Sequence, residues 1–282
     1  MIISKVLTPS PGAREYVRQF LRLQVSDAAG RPSVRPIIAR PDIVLAFALH
    51  QQPHEAFEFA TAAPRVLPAV VLVGAQTSRR ADLLLVNGWS SFAIHFQPAA
   101  FSRLFRVPAS ALTDRALDAT PLLGADLEGV RQRLAACRSS SAMVRVAERF
   151  LARRAATAGP VPATARAAEA LLTSHGRLRV ADAIRTTGLS ERHFERRFLE
   201  HMGMPPKLYA RVARLNFVLQ LKTERPALTW AQISQEAGYF DQTHLVKDFK
   251  AMAGAPPAAF LRAGFPSDGG FLLSSAPAAR LS

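Results

Sequence analysis

A chain of 282 residues that is 49% hydrophobic, with 17 Phe and two Trp, is long enough for two buried cores and too apolar for general disorder. Its formal net charge of +15 points to a polyanionic partner, of which nucleic acid is the commonest inside a cell. The single cysteine, Cys137, excludes an internal disulfide, a cysteine zinc cluster and a redox pair, and its place in an apolar stretch predicts a buried structural thiol.

The amino terminus, MIISKVLTPSPGAREYVRQF, lacks the basic-then-apolar order of a secretory signal, and no run of about 18 apolar residues occurs anywhere. A cytoplasmic protein without a membrane partner is expected. From Ile37 to Phe96 the chain carries short β-branched or alternating runs punctuated by Pro and Gly: Ile43 to Leu49, Val66 to Val73, Leu83 to Val86 and Phe92 to Phe96. These read as strands. From Pro98 to Leu151 the apolar spacing becomes three and four, as in Phe101, Leu104 and Phe105, then Leu127, Val130 and Leu134, then Val146, Phe150 and Leu151. The expected fold is therefore α+β with two domains, residues 1–151 forming a strand-rich sensing or dimerisation domain with helices behind it.

Within that region His50, His54 and Glu55 are the residues that invite a metal reading. Their H-x-x-x-H-E spacing in an expected loop, with no further histidine until His95, does not make one, so no metal or other cofactor is expected. Trp89, Phe92 and Phe96 fit either the lining of a small-molecule pocket or plain core, and aromatic residues beside strands are more often core.

Residues 152–166 (ARRAATAGPVPATAR) are rich in small residues, contain Gly159, Pro160 and Pro162, and have no apolar period, which predicts an interdomain linker. Beyond it, two similar units follow. In the first, Val180, Ala183 and Ile184 form the inner face of a short helix that Gly188 ends, and Ser190 caps a second helix, SERHFERRFLEHM, with Phe194, Phe198 and Leu199 inward. Glu191, Arg192, Glu195 and Arg196 are left outward. In the second unit Thr229 caps a helix with Trp230, Ile233 and Ala237 inward, Gly238 ends it, and Asp241 caps DQTHLVKDFKAM with Leu245 and Phe249 inward. Its outward strip is Gln242, Thr243, Val246 and Lys247. Between the units, Leu208, Val212, Leu215 and Leu219 stripe a helix opened by Pro206, a rod of about 26 Å for roughly 17 residues. Such a rod suits two recognition helices spaced near one DNA turn, about 34 Å. After Phe265 the chain loses all periodicity, and residues 266–282 are expected to be a disordered tail.

Charge alone does not find this region. Residues 165–264 contain 15 Lys/Arg against 9 Asp/Glu, and only five of the chain's basic residues are lysines, the arginine excess matching a GC-rich coding bias. The motifs locate it instead. Gly188-Leu189-Ser190-Glu191-Arg192, Arg196-Arg197-Phe198, Gly203, Pro205 or Pro206 and Tyr209 precede Gly238-Tyr239-Phe240-Asp241-Gln242, His244-Leu245, Phe249-Lys250, Gly254, Pro257 and Phe260. On these residues the segment 167–265 resembles the AraC/XylS-type DNA-binding domain: an all-α domain with two helix-turn-helix units joined by a long helix. His95 to Gly124 is similar to the end of an uncharacterised domain found before such readers.

The resemblance implies a sequence-specific transcription regulator, more commonly an activator, with double-stranded DNA as partner and RNA polymerase, a small-molecule effector and a second copy of the chain as further candidates. It places base contacts on Arg192, Glu195 and Arg196 of the first recognition helix and on Gln242, Thr243 and Lys247 of the second, with Lys250 on a phosphate. Glu195 suits a cytosine amino group or an ion pair with Arg192 or Arg196 one turn away. His193 and His244 have no nearby nucleophile and carboxylate, which fits structural or phosphate-side roles. Departures from the family pattern at Ala183-Ile184, Thr187 and Ser234 concern scaffold packing and not the outward strips. An enzyme, in the form of a DNA-repair alkyltransferase fused to such units, would need a cysteine zinc site that one Cys137 cannot supply. A purely architectural DNA binder would need no base-edge donors on its outward strips.

Overall fold

The structure, a computed structural model, describes residues 2–26, 32–50, 54–58 and 63–262. Its strands run in the order β1 (Ile2–Leu7), β2 (Val17–Val25), β3 (Ser33–Ile37), β4 (Val44–Ala48), β5 (His54–Glu58), β6 (Pro64–Leu67), β7 (Val70–Val73), β8 (Ala81–Leu85), β9 (Ser90–Phe96) and β10 (Ala116–Asp118). They form two antiparallel sheets, one of order β1-β2-β9-β4-β7-β10 and one of order β3-β8-β5-β6.

The central strands of the larger sheet are buried on both faces, and the two-residue period of a strand explains their composition. On β4 and β9, Leu45, Phe47, Phe92, Ile94 and Phe96 point one way, into a core shared with helices α1 (Ala100–Phe105), α2 (Thr120–Leu123), α3 (Asp126–Ala135) and α4 (Ser140–Ala155). Ala46, Ala93 and His95 point the other way, toward the smaller sheet, with Val44 opposite His95 and Ala46 opposite Ala93 in register. Because both faces are covered, β9 reads as a near-continuous apolar run.

Several expectations are corrected here. The strands begin at Ile2, well before Ile37; β2 was missed because Arg18, Gln19 and Arg22 interrupt its alternation, although Arg18 and Gln19 are buried. Val66 to Val73 is two strands of different sheets, broken around Pro68, which has no amide to donate to a ladder. His54 and Glu55 lie on β5 and not in a loop. Cys137 is half-buried, its thiol 3.2 Å from the Arg133 carbonyl.

The remaining helices are α5 (Ala163–Thr173), α6 (Val180–Arg185), α7 (Glu191–Met202), α8 (Pro206–Glu224), α9 (Trp230–Glu236), α10 (Gln242–Ala253) and α11 (Pro257–Arg262). The residues expected as linker, 152–166, are largely helical: α4 runs on to Ala155 and α5 starts at Ala163, so only the Gly- and Pro-containing centre lies between helices. Helix α8 is buried on more than the one stripe read from spacing, adding Tyr209, Ala210, Ala213, Asn216 and Val218, because α5, α6, α7, α9 and α10 all pack around it. The 266–282 tail lies outside the described residues.

The two halves share a seam. Ile38, Ala39, Ala75 and Ala99 of the strand-rich half are buried in the same hydrophobic cluster as α5 to α11. The Ala39 N–H donates to the Met252 carbonyl at 3.2 Å, and Thr113 Oγ1 donates to the Gly203 carbonyl. Gly203 ends α7 with φ +77°, and an added Cβ there would sit 2.9 Å from Thr113 Oγ1 and 3.1 Å from the Ala109 carbonyl oxygen. Both the positive φ and the close approach call for glycine.

Candidate nucleic-acid interface and the cavity behind it

Each recognition helix is aimed by its cap. The Ser190 hydroxyl accepts from the His193 N–H at 3.4 Å and starts α7, while Asp241 Oδ1 accepts from the His244 N–H at 2.7 Å and starts α10. The scaffold helix α9 opens with a capping box, in which the Thr229 hydroxyl accepts from the Gln232 N–H and the Gln232 side chain accepts from the Thr229 N–H at 2.8 Å. Gly188 and Gly238, at φ +71° and +74°, make the tight turns into α7 and α10.

Both recognition helices are anchored to α8. From α7, Phe194, Phe198 and Met202 point inward at four-residue spacing, and Phe198 meets the Tyr209 ring edge-on at 5.3 Å. From α10, Leu245, Phe249 and Met252 point inward at spacings of four and three, and the buried Asp248 accepts from Arg211 of α8 at 2.7 and 3.3 Å. A carboxylate gripped by both arms of a guanidinium fixes rotation as well as distance.

All seven sequence-derived site residues are exposed: Arg192, Glu195 and Arg196 on α7, and Gln242, Thr243, Lys247 and Lys250 on α10. Among the described residues none of the seven side chains makes a hydrogen bond or ion pair, so Glu195 is not neutralised by Arg192 or Arg196. Two neighbours differ from expectation. Leu199 is exposed, because the Phe194, Phe198 and Met202 stripe fills the inner face and Leu199 lies about 100° round the helix from Phe198. Val246, expected outward, is half-buried against the core and leaves the strip.

A cavity of about 420 Å³ separates the two sheets. It exists because small side chains, among them Ala46, Ala48, Ala56, Ala81 and Ala93, occupy positions where larger ones would meet across the gap. Trp89 lines it, whereas Phe92 and Phe96 belong to the core on the opposite face of the sheet. At one end stand Arg40, Gln76 and His95. Sequence reading missed Arg40 and Gln76; the only signal was a charged pair, Arg40 and Asp42, inside an apolar stretch.

Asp42 is buried between Arg40, whose Nε lies 3.3 Å away, and His95, whose Nδ1 lies 2.6 Å away. Burial by itself would raise the Asp42 carboxyl, but the charge of Arg40, the hydrogen bond and charge of His95, and the charge of Arg18 hold it well below the usual carboxylate range. Burial pushes His95 down, and Asp42 only partly opposes this. A carboxylate can only accept, so neutral His95 donates through Nδ1–H and presents a bare Nε2, which is buried without a partner. Among the described residues no group of three or more His, Cys, Asp or Glu is arranged to hold a metal, and no helix is long and apolar enough to cross a membrane.

Two helix-turn-helix units built on one long helix, behind a strand-rich domain, define a two-domain DNA-binding regulator. The comparisons agree: residues 183–263 match the family described as "Helix-turn-helix domain", and residues 5–118 match a "Domain of unknown function (DUF6597)". The carboxy-terminal match supports a DNA-binding transcription regulator of the AraC type. Among solved structures it is similar to ToxT from Vibrio cholerae O395, at 11% identity and a TM-score of 0.46, covering 93% of this chain and 97% of that one. Unsaturated fatty acid bound wild-type ToxT from Vibrio cholerae strain SCE256 gives 11% and 0.46, with 93% and 94% covered. The AraC-like transcriptional activator CuxR gives 11% and 0.22, with 97% and 91% covered. No curated protein matches significantly.

Proposed function

We propose that the chain reads an asymmetric DNA site through two successive major grooves, with Arg192, Glu195 and Arg196 of α7 in one and Gln242, Thr243 and Lys247 of α10 in the next, and Lys250 on a phosphate. The observation that carries this reading is the pair of capped helices presenting exposed, uncommitted side chains from a shared rod. Helix α8 has 19 residues, about 28 Å of length, close to the rise of one DNA turn. Arginine makes the bidentate guanine contact most often, so the α7 segment is expected to contain G and to be the more stringent.

Residues 1–151 act in this reading as the regulatory domain and residues 167–265 as the reader. The cavity between the sheets supports a small-molecule effector, since about 420 Å³ of mainly apolar space with a few convergent polar groups is the usual form of a ligand pocket. The outcome is activation from the cytoplasm, with contact to RNA polymerase. Selecting sites from random DNA with the full chain tests the reading. Two unlike segments about 10 base pairs apart are expected; a symmetric motif bound by a monomer, or no sequence preference, overturns it.

A further inference from the structure

The turn into the recognition helix is built differently in the two units. Ser190 caps α7 two residues after Gly188, with only Leu189 between them, and Leu189 packs against the core. Asp241 caps α10 three residues after Gly238, with both Tyr239 and Phe240 between them. Tyr239 takes the inward place: it is buried, and its ring meets the His244 ring edge-on at 5.2 Å. Phe240 is the residue left over. It is 94% exposed, against 38% to 66% for the other exposed large hydrophobic side chains among the described residues.

An apolar residue just before an N-cap ordinarily folds back onto the fourth residue of the helix and fixes the entry of the chain. In α10 that fourth residue is Leu245, which is fully buried, and a ring so exposed is not packed on it. Phe240 therefore gives the fold almost nothing. It stands instead at the lip of the second outward strip, two residues before Gln242 and three before Thr243, where the first residues of a recognition helix meet base edges. The two carboxylates nearest to it in the chain are both committed, Asp241 to the His244 N–H and Glu236 to Arg225, so neither is left unpaired toward a polyanion.

The chemistry of the ring and its surroundings selects what covers it. Gln235, Glu236, Asp241, Gln242 and Thr243 are exposed and all polar, so Phe240 is a solitary ring and not part of the contiguous apolar patch that a protein or membrane partner takes. A phenyl group neither donates nor accepts, which closes the hydrogen-bonding pattern of a base edge to it. The apolar feature of the major groove is the thymine 5-methyl group, and phenylalanine is among the side chains that contact it. Gln242 beside it carries the amide that pairs bidentately with adenine, so the two side chains together suit an A·T-containing segment, in contrast to the G expected opposite α7.

We propose that Phe240 is a specificity-determining residue of the second unit, packing on the 5-methyl group of a thymine at the edge of the α10 segment. The proposal rests on the reading of α10 as a major-groove helix and adds a base that this helix selects without a hydrogen bond.

Deoxyuridine tests it, because it lacks only the methyl group of thymidine and keeps the same pairing and the same hydrogen-bonding edge. Sites are first selected from random DNA with the full-length protein, and the α10 segment is expected to contain a thymine. Each thymine there is then replaced in turn by deoxyuridine. Wild type should lose about three- to fivefold in affinity at one position, the size expected for one buried methyl group. Phe240→Ala should bind the parent site correspondingly less well and no longer distinguish thymine from uracil at that position, while Phe240→Leu should keep part of the discrimination. The melting temperature of Phe240→Ala should match that of wild type; a lowered one would place the ring in the fold and overturn the proposal. An α10 segment without thymine, wild-type binding indifferent to every deoxyuridine, or a discrimination that survives in Phe240→Ala also overturns it. So does a Phe240→Ala variant weakened equally on thymine and uracil sites in which wild type still discriminates, since the methyl group and the ring would then act separately. Selection of a site with no second segment would overturn the reading of α10 itself, and the proposal with it.

Discussion

Arginine at the start of a recognition helix is worth more than its charge, because its fork matches the two acceptors of a guanine edge. Arg196→Ala should therefore relax base preference at one position of the α7 segment, at a cost of about 1–3 kcal/mol for the preferred site, as read by site selection and by binding to single-base variants. Lys250→Ala should weaken all sequences about equally and flatten the salt dependence by about one unit. An unchanged motif for Arg196→Ala, or a changed one for Lys250→Ala, would reverse the roles assigned to them. These side chains were legible in the sequence because a cap, a core stripe and a helical period together fix which residues face out. That logic misplaced Leu199 and Val246, which border the inner stripe, where spacing alone does not decide whether a residue turns in or out.

Helix ends carry the next level of design. The Asp241 cap bond is short at 2.7 Å and charge-assisted, whereas the Ser190 bond is long at 3.4 Å. Removing either cap should cost about 0.5–2 kcal/mol, with Asp241→Ala the larger loss in chemical denaturation and Ser190→Ala near the lower end. Equal losses would mean that packing on α8, and not the caps, sets the entry of these helices. Gly203 combines a helix stop with a contact to the other half of the chain. Gly203→Ala should destabilise by more than the roughly 1 kcal/mol of a simple positive-φ penalty, because its Cβ also meets Thr113 and Ala109. A loss no greater than that penalty in thermal melts would show the seam to be loose.

For the whole molecule, acid should act on buried His95 and on the half-buried His175 and His201. His95, His175 and His201 are all depressed, chiefly by burial, so the folded chain takes up protons less readily than the unfolded one. Their contribution to stability is present above the ordinary histidine value of 6.5 and is lost as pH falls below it. Asp42 adds to this only below its ordinary 3.8. The melting temperature should drop between pH 7 and pH 5.5, and His95→Gln, which keeps a donor for Asp42 without titrating, should make the drop shallower. A parallel curve for the variant would remove His95 from the account. Residues 165–265 expressed alone should fold and keep the DNA preference, since α5 to α11 supply most of their own cluster. Loss of all binding by a well-folded fragment would instead make the seam at Ile38, Ala39 and Ala75 part of the reader.

The division between what was written in the chain and what folding decided follows the range of the interactions. Turns, caps and helical stripes act over four or five residues, so both helix-turn-helix units, their glycine stops and their outward strips were settled by the local order of residues from Gly188 to Phe260. The first strands were not, because β2 alternates by the standard of two covered faces, and which face is covered depends on partners up to 79 residues away, such as Phe96 opposite Val17. The cavity is likewise a tertiary object. Ala46, Ala56, Ala81 and Ala93 are unremarkable alanines in sequence, and only the facing of two sheets turns their missing volume into one cavity. Only folding, too, could place Arg40 in that space and its neighbour Ala39 against Met252, since consecutive residues of an extended chain point to opposite sides and what lies on each side is supplied by segments distant in the chain.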